Sequence, residues 1–582
     1  MNDASKSGFK RALQVVGPLF RQHPYRLLCG IIAIVFVDCL QLYIPRILKH
    51  GIDSLAAQTA DLHSLLFLGS LVILASFCML VLRFTWRYLI VGFSRIVENK
   101  IRDRLYAHIL SLDQPFFKSR ATGDLTAHSS NDLNAVQMAC GMGLVAGSDA
   151  LIMTVLAIMF LLVIDVRLTL AALSPMPFLA AATFFLSSRL HYRFTQVQEQ
   201  FSTMTAFSLN TLRSIQLVQG YTLERLQQRR FARLGKDYIY SNIRVAMVQG
   251  ILHPLSILVG NLTLVLVLYY GGSLVIRQDI TLGDFVAVIA YMYLMIWPMM
   301  AVGWVAMLVQ RGVTSLVRVH HLLEQRPVVE RKNAAFFPAQ RELVCRLHTL
   351  TFSYNNAAVP ALSAVNCTIS PGITGIAGRT GSGKSTLCSL LLRLYPVEDG
   401  MICINDTDVN DLKVASLREN ISYVSQEPVL FSGSIADNIA FGRPDASRQE
   451  IRLAACDAAI HDEIMQLPGG YDARIGERGV KLSGGQRQRM ALARALLCRR
   501  PMLIIDDGLT GIDVETEQTI LRRIAALDTF SSVIIVSHRL NVLCLADNIL
   551  VLEQGKMAAF GRHEDLLAHP LYRTMMEKRE YA

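Results

Sequence analysis

The chain is short of charge and has no paired cysteines. Asp, Glu, Lys and Arg make up only 18% of its 582 residues, against about 25% in an average soluble domain. Hydrophobic residues make up 52%, and the mean hydropathy is +0.36. A fully water-soluble protein is thereby excluded, and a prior of about 150 residues per domain gives two to four domains. The eleven cysteines stand singly from Cys29 to Cys544, with no CxxC pair and no metal-ligand spacing. That excludes a disulfide scaffold or zinc module and reads as reduced, structural thiols. No small-residue cleavage site follows the first apolar run. Residues 1–22, with Lys6, Lys10 and Arg11, therefore read as an amphipathic lead-in helix and not a signal peptide. The net charge of +11 would suit nucleic acid, but the basic residues lie mostly beside apolar runs, so no nucleic-acid partner is expected.

Residues 23–320 read as an all-α membrane domain. Six apolar stretches, roughly 25–45, 64–90, 138–163, 166–188, 249–274 and 283–309, each approach the ~20 residues that a bilayer requires. Short turns at Asp165-Val166-Arg167 and Arg277-Gln278-Asp279 mark the outer side. Basic residues mark the inner side: Arg95, Lys100, Arg102, Arg104, Lys118 and Arg120, then Arg189, Arg193, Arg213, Arg225, Arg229, Arg230 and Arg233. Six spans with both termini in the cytosol follow from that asymmetry. The inner connections, about 91–137 and 189–248, are long and polar, and as helices they would carry a turn roughly 35 Å below the membrane.

Asp38 and Asp149 fall at membrane depth, which suits either a polar pathway or a packed structural carboxylate. The sixth span carries Tyr291, Met292, Tyr293, Met295, Trp297, Met299, Met300, Trp304 and Met307 around Pro298. Such soft side chains suit a permissive apolar cavity, although helix packing produces the same stripe. Pro298 is expected to kink the helix.

Residues 321–340 read as a linker, and residues 341–582 alternate β-branched runs with helices, as an α/β domain does. Within it Gly378, Arg379, Thr380, Gly381, Ser382, Gly383, Lys384 and Ser385 follow an apolar strand and precede a helix that begins at Thr386. This is a phosphate-binding loop in sequence and context, with glycines for backbone approach, Lys384 for the β- and γ-phosphates and Ser385 for Mg²⁺. The apolar run Met502–Ile505 ends in Asp506 and Asp507, where a carboxylate can hold Mg²⁺ and place a water. Leu482, Ser483, Gly484, Gly485 and Gln486 open a basic helix, a second place to grip phosphate.

In order and spacing these motifs resemble the ATP-binding cassette exporters over nearly the whole chain. The resemblance makes Gly378–Ser385 the Walker A loop, Gln426 the Q-loop and a Mg²⁺ ligand, and Leu482–Gln486 the family signature. It also makes Asp506 the Walker B aspartate, His538 the switch histidine and Tyr354 the adenine-stacking aromatic. The segment Ile475-Gly-Glu-Arg-Gly479 matches the exporter loop ahead of the signature. Phe116-Phe117, Thr122–Leu125, Asn131-Asp132 and Thr281-Leu-Gly283 match in the membrane half. The implied fold is a six-helix transmembrane domain fused to a P-loop nucleotide-binding domain, with coupling helices near 112–122 and 208–215. ATP and Mg²⁺ are then expected between one chain's Walker A and the other's signature.

One residue departs from the pattern. Hydrolytic subunits carry Glu after the Walker B Asp, whereas this chain has Asp507, one methylene shorter; the following Gly508–Asp513 also differs from the usual Ala-Thr-Ser-Ala-Leu-Asp. The chain therefore resembles the degenerate-site subunit of bacterial heterodimeric multidrug-type exporters. That implies a Glu-bearing second half-transporter and hydrophobic or amphipathic cargo. It also implies a multi-pass place in a bacterial inner membrane, with the nucleotide domain in the cytosol. A lipid flippase, possibly homodimeric, is the alternative.

Overall fold

The computed structural model describes residues 14–120, 122–329, 334–337, 342–355, 357, 359–476 and 482–580. Residues 1–13 of the expected lead-in helix, 330–333 and 338–341 of the linker region, and Glu477, Arg478 and Gly479 of the loop before the signature lie outside them. The described residues form two compact units, 1–111 with 120–325 and 112–119 with 326–582.

The first unit contains six helices long and apolar enough to cross a bilayer: α1 Pro24–Ala56, α2 Leu62–Leu110, α3 Leu125–Ile164, α4 Val166–Arg213, α5 Glu224–Ile276 and α6 Leu282–Leu323. A further helix over residues 14–22 precedes them. The apolar stretches in the sequence cover only part of each helix. At 53 residues α5 is about 80 Å long, well over twice the hydrocarbon thickness of about 30 Å. α4 stays helical through Arg213, and a short helix, Ile215–Gly220, follows it.

Asp165 ends α3 in an extended conformation and caps α4, accepting from the Leu168 N–H at 2.7 Å. At the start of α6, Thr281 and Asp284 form a reciprocal cap. Asp53 of α1 accepts from Thr281 Oγ1 at 3.0 Å and from the Gly283 N–H at 2.8 Å, and Lys49 pairs with Asp284. A Cβ on Gly283 would meet the Lys49 carbonyl oxygen at 2.4 Å, so this close approach of α1 and α6 requires glycine.

Toward the opposite end, a π-helical turn at His128–Asp132 turns Asp132 into the helix packing. Such turns redirect side chains within an otherwise regular helix. The Asp132 carboxylate accepts from Ser315 at 2.8 Å, bonds with His128 at 2.6 Å and pairs with Arg318, whose Nε donates at 3.0 Å. Along α6, Tyr291, Met292 and Met295 are buried in the helix core, whereas Tyr293 and Trp297 are exposed. Core packing thus accounts for much of the Met and aromatic stripe. Pro298 lies inside α6 and is buried.

The second unit is α/β, as expected. Its strands are β1 Cys345–Phe352, β2 Leu362–Ile369, β3 Gly372–Gly378, β4 Ile402–Ile404, β5 Thr407–Asp408, β6 Ile421–Val424, β7 Gly433–Ser434, β8 Arg474–Ile475, β9 Met502–Asp506, β10 Ser532–Val536, β11 Asn548–Glu553 and β12 Lys556–Gly561. An antiparallel sheet runs β2-β1-β4-β5, and the main sheet runs β12-β11-β3-β10-β9-β6. All its neighbours are parallel except β11 and β12. The nearly continuous apolar strands β9 and β10 are buried on both faces, as parallel strands between helices must be. Residues 326–329 join this unit: Arg393 donates to the Val329 and Leu412 carbonyls, and Asp113 accepts from the Val328 and Val329 N–H groups.

Replacing Asp132 by Ala should leave Arg318 and Ser315 with unmet hydrogen bonds, at a loss of about 1–3 kcal/mol. A lower melting temperature of the detergent-purified protein is the expected readout. An unchanged midpoint would show that this network does not hold α3 to α6.

Candidate functional site

Four neighbouring parallel strands deliver the expected nucleotide residues to one edge of the main sheet. The phosphate loop leaves β3, His538 follows β10 by two residues, Asp506 closes β9 and Gln426 follows β6 by two. In an open parallel sheet, ligands collect at the carboxyl ends of the strands.

The loop geometry explains its glycines. Gly381 and Gly383 have φ of +81° and +101°, in the left-handed region. A Cβ on Gly383 would sit 2.6 Å from the Ala361 carbonyl oxygen. Helix α7, Lys384–Leu391, starts directly behind, so its unpaired N–H groups and positive end point into the loop. Lys384 is buried and folds back to donate to the Gly378 and Arg379 carbonyls, both at 2.9 Å. The buried Ser382 hydroxyl has no hydrogen-bond partner among the described residues.

Ser385 donates to Asp506 Oδ1 at 2.9 Å, and Tyr423 donates to Oδ2 at 3.4 Å. Burial pushes the Asp506 carboxyl above the ordinary carboxylate range. The folded state therefore holds this proton more tightly than the unfolded chain does, and the ionised group costs stability as pH rises through that window. A cation beside Asp506 would remove that cost. The hydroxyl and carboxylate are hard oxygen donors suited to Mg²⁺, which usually takes one or two protein oxygens and completes its shell with water and phosphate.

The signature lies in a different part of the unit. Leu482 belongs to the core around α8, Gly484–Leu497, whereas Leu387 of α7 belongs to the core around β1 and β4. Ser483 and Gln486 form a reciprocal cap at the start of α8, so the helix begins three residues before the basic run that marked it in the sequence. Ser483 and Gly484 are exposed at this N-terminus.

Several contacts were not legible beforehand. Gln488 of α8 accepts from the Gly511 N–H at 2.8 Å and donates to Thr510 at 3.2 Å. A Cβ on Gly485 would lie 2.6 Å from the Gly511 carbonyl oxygen, and one on Gly511 would lie 2.8 Å from the Gln488 side-chain oxygen. The departures at Gly508–Asp513 thus belong to a close contact with the signature helix. Arg539, beside His538, donates to the Thr510 and Ile512 carbonyls and pairs with buried Glu517. Asp507 is half-buried with φ +51°, a left-handed conformation in which Asp is enriched. Tyr354 bonds the Thr386 hydroxyl at 3.0 Å, and the Lys118 ammonium, from the helix Gln114–Ser119, lies 4.9 Å from its ring centre. The aromatic surface expected to receive adenine therefore also faces a cation.

A phosphate loop on a parallel sheet in one unit, with six bilayer-length helices in the other, defines an ATP-driven membrane transporter. Residues 27–299 match the ABC transporter transmembrane region model, and residues 362–510 match the ABC transporter model. The probable multidrug resistance ABC transporter ATP-binding/permease protein YheI of Bacillus subtilis is 32% identical over 98% of this chain and 97% of its own length. The multidrug resistance-like ATP-binding protein MdlA of Escherichia coli is 35% identical over 94% and 93%. The ATP-dependent lipid A-core flippase of Vibrio cholerae is 31% identical over 93% of each. A solved bacterial Atm1-family ABC exporter with ATP bound has a TM-score of 0.81 at 26% identity, covering 97% of this chain and 99% of that one. The chain belongs to the ABC transporter family and is an exporter-type ATPase coupled to transmembrane transport.

Asp506→Asn removes the buried charge while keeping the shape. Without Mg²⁺ its melting temperature at pH 7.5 should equal or exceed that of the parent. Mg²⁺-dependent nucleotide affinity should fall about tenfold or more. Equal Mg²⁺ dependence in the two proteins would remove Asp506 from the metal site.

Proposed function

We propose that this chain is one half of a multidrug-type exporter for hydrophobic or amphipathic compounds, working as a dimer in a bacterial inner membrane with its nucleotide domain in the cytosol. The observation that carries the dimer reading is Asp507, which stands one methylene short beside an intact signature. Gly378–Thr386 would hold the phosphates of ATP, Tyr354 the adenine, and Ser385, Gln426 and Asp506 the Mg²⁺, whose chemistry is to neutralise charge on the phosphate oxygens. Ser483–Gln486 would complete the nucleotide site of a partner carrying Glu at the position of Asp507. Asp507, Gln426 and His538 would orient the attacking water in this chain's own site.

The short side chain makes that last task slow. A carboxylate displaced by about 1 Å costs on the order of 100-fold in rate. Asp507 has a left-handed backbone, and its N–H donates to the Val536 carbonyl at 3.2 Å. Support for apolar cargo comes from a cavity of about 1200 Å³ in the membrane unit, walled by α3, α6 and the helix at residues 14–22, with Gly143, Gly147, Val305 and Val309 in its lining. The relatives with multidrug names favour drug-like amphiphiles, and the flippase relatives keep lipid as the second reading.

Purified alone in proteoliposomes, the chain should hydrolyse ATP slowly, and Asp507→Glu should raise its rate by an order of magnitude or more. Brisk substrate-stimulated turnover by the unmodified chain alone would rule against an obligatory Glu-bearing partner. Indifference of the rate to Asp507→Glu would show that reach is not the limiting factor.

A further inference from the structure

The apolar cavity of about 1200 Å³ in the membrane unit is charged at one end only. Its wall on α3 runs from Ala139 to Leu151 and on α6 from Val305 to Leu316, roughly 18 and 16 Å of helix rise. Ala139 stands at the inner limit of the third apolar stretch, on the side that the basic residues mark as cytosolic. The cavity therefore reaches from that surface to near the middle of a hydrocarbon layer about 30 Å thick, the depth of one leaflet. At the inner end α3 and α6 touch, for a Cβ on Gly312 would lie 2.4 Å from the Ala139 Cβ. Farther along, a Cβ on Gly147 would meet nothing nearer than 3.4 Å, so the missing side chain leaves width to the channel.

The third wall, the helix at residues 14–22, brings the charge. Arg21 lines the cavity, is exposed, and has no hydrogen-bond or ion-pair partner among the described residues. Its neighbour Gln22 accepts from Lys100 of α2 at 2.9 Å, so a second cation lies at the same level. Among the described residues the lining contains no Asp, Glu, Lys or His, and its other polar side chains, such as Gln14 and Ser148, are uncharged. A cationic amphiphile would meet repulsion at Arg21 and no carboxylate along the channel. An anionic one would find a planar guanidinium, which suits carboxylate, sulfate and phosphate oxygens, at the level where lipid head groups lie.

We infer that this cavity binds an anionic amphiphile, with the negative group on Arg21 and an apolar body about one leaflet long between α3 and α6. The site rests on the export reading given above and narrows its cargo from hydrophobic or amphipathic compounds in general to those that carry a negative charge. Arg21 would touch the anion directly, through paired N–H donors that the point charge of a lysine copies only in part. Val309, exposed on the channel wall, would touch the apolar body.

The test uses the full-length chain in nanodiscs of phosphatidylcholine, a lipid without net charge, with empty nanodiscs as the blank. Dansylaminoundecanoic acid and its methyl ester share one apolar body and differ by the carboxylate, and dansyl fluorescence reads their binding. The acid should bind about tenfold more tightly than the ester, the scale of a hydrogen bond to a charged group. Arg21→Gln should bring the two affinities together while sparing the ester, Arg21→Lys should keep part of the preference, and Val309→Trp should weaken both compounds. Should Val309→Trp fail to accumulate, Arg21→Gln, at an exposed position, decides the matter. Equal affinity of the unmodified chain for acid and ester, an unchanged preference in Arg21→Gln, or displacement of the acid by inorganic phosphate overturns the site. The export reading is checked apart from it, by ATP-dependent uptake of the acid into inside-out vesicles of cells expressing the full-length chain with its chromosomal neighbours. Selective binding without uptake would overturn that reading and leave the binding site standing.

Discussion

The registry of β3, β10, β9 and β6 is the constraint on which the nucleotide site depends. Parallel pairing aligns Ile376 with Val536 and Val536 with Asp506, so the ends of these strands are level. The phosphate loop, His538, Asp506 and Gln426 are therefore brought to one edge although they are spread along the sequence from Gly378 to His538. The 2.9 Å hydrogen bond between Ser385 and Asp506 follows from that alignment. A one-residue slip of β9 would turn the aspartate to the other face of the sheet and abolish the pairing.

Around that edge, the contacts of Gly511 link the parts that act on nucleotide. Gln488 binds α8 to the segment after β9, and Arg539, the residue beside His538, binds the same segment. A chain of hydrogen bonds therefore runs from α8 through Thr510–Ile512 to Arg539, the neighbour of His538. Arg539 can hold two carbonyls and a carboxylate at once because its guanidinium presents several donors in a fixed plane.

The membrane unit follows another rule. Lipid supplies no hydrogen bonds, so backbone polar groups must be satisfied within the helices, and side-chain charges must find partners inside the bundle. Lys49 with Asp284 at one end of the helices and Asp132 with Arg318 toward the other lie at or beyond the limits of the apolar stretches.

Much of this was legible in the residues themselves. Six apolar runs, their short outer turns at Asp165 and Gln278, and the Gly-rich loop before Lys384 each carry a local physical signature: lipid thickness, chain reversal or close approach to phosphate. The identity of Asp507 was equally plain, since a missing methylene needs no fold to be noticed. What sequence could not decide were matters of distance between segments remote in the chain. Which residues of the α6 stripe face the core, that Gly511 abuts Gly485 and that Lys118 lies over Tyr354 were decided only by tertiary packing. Periodicity and composition describe what a segment prefers, whereas the neighbours of a side chain are set by helix crossings and strand order, to which residues from the whole chain contribute.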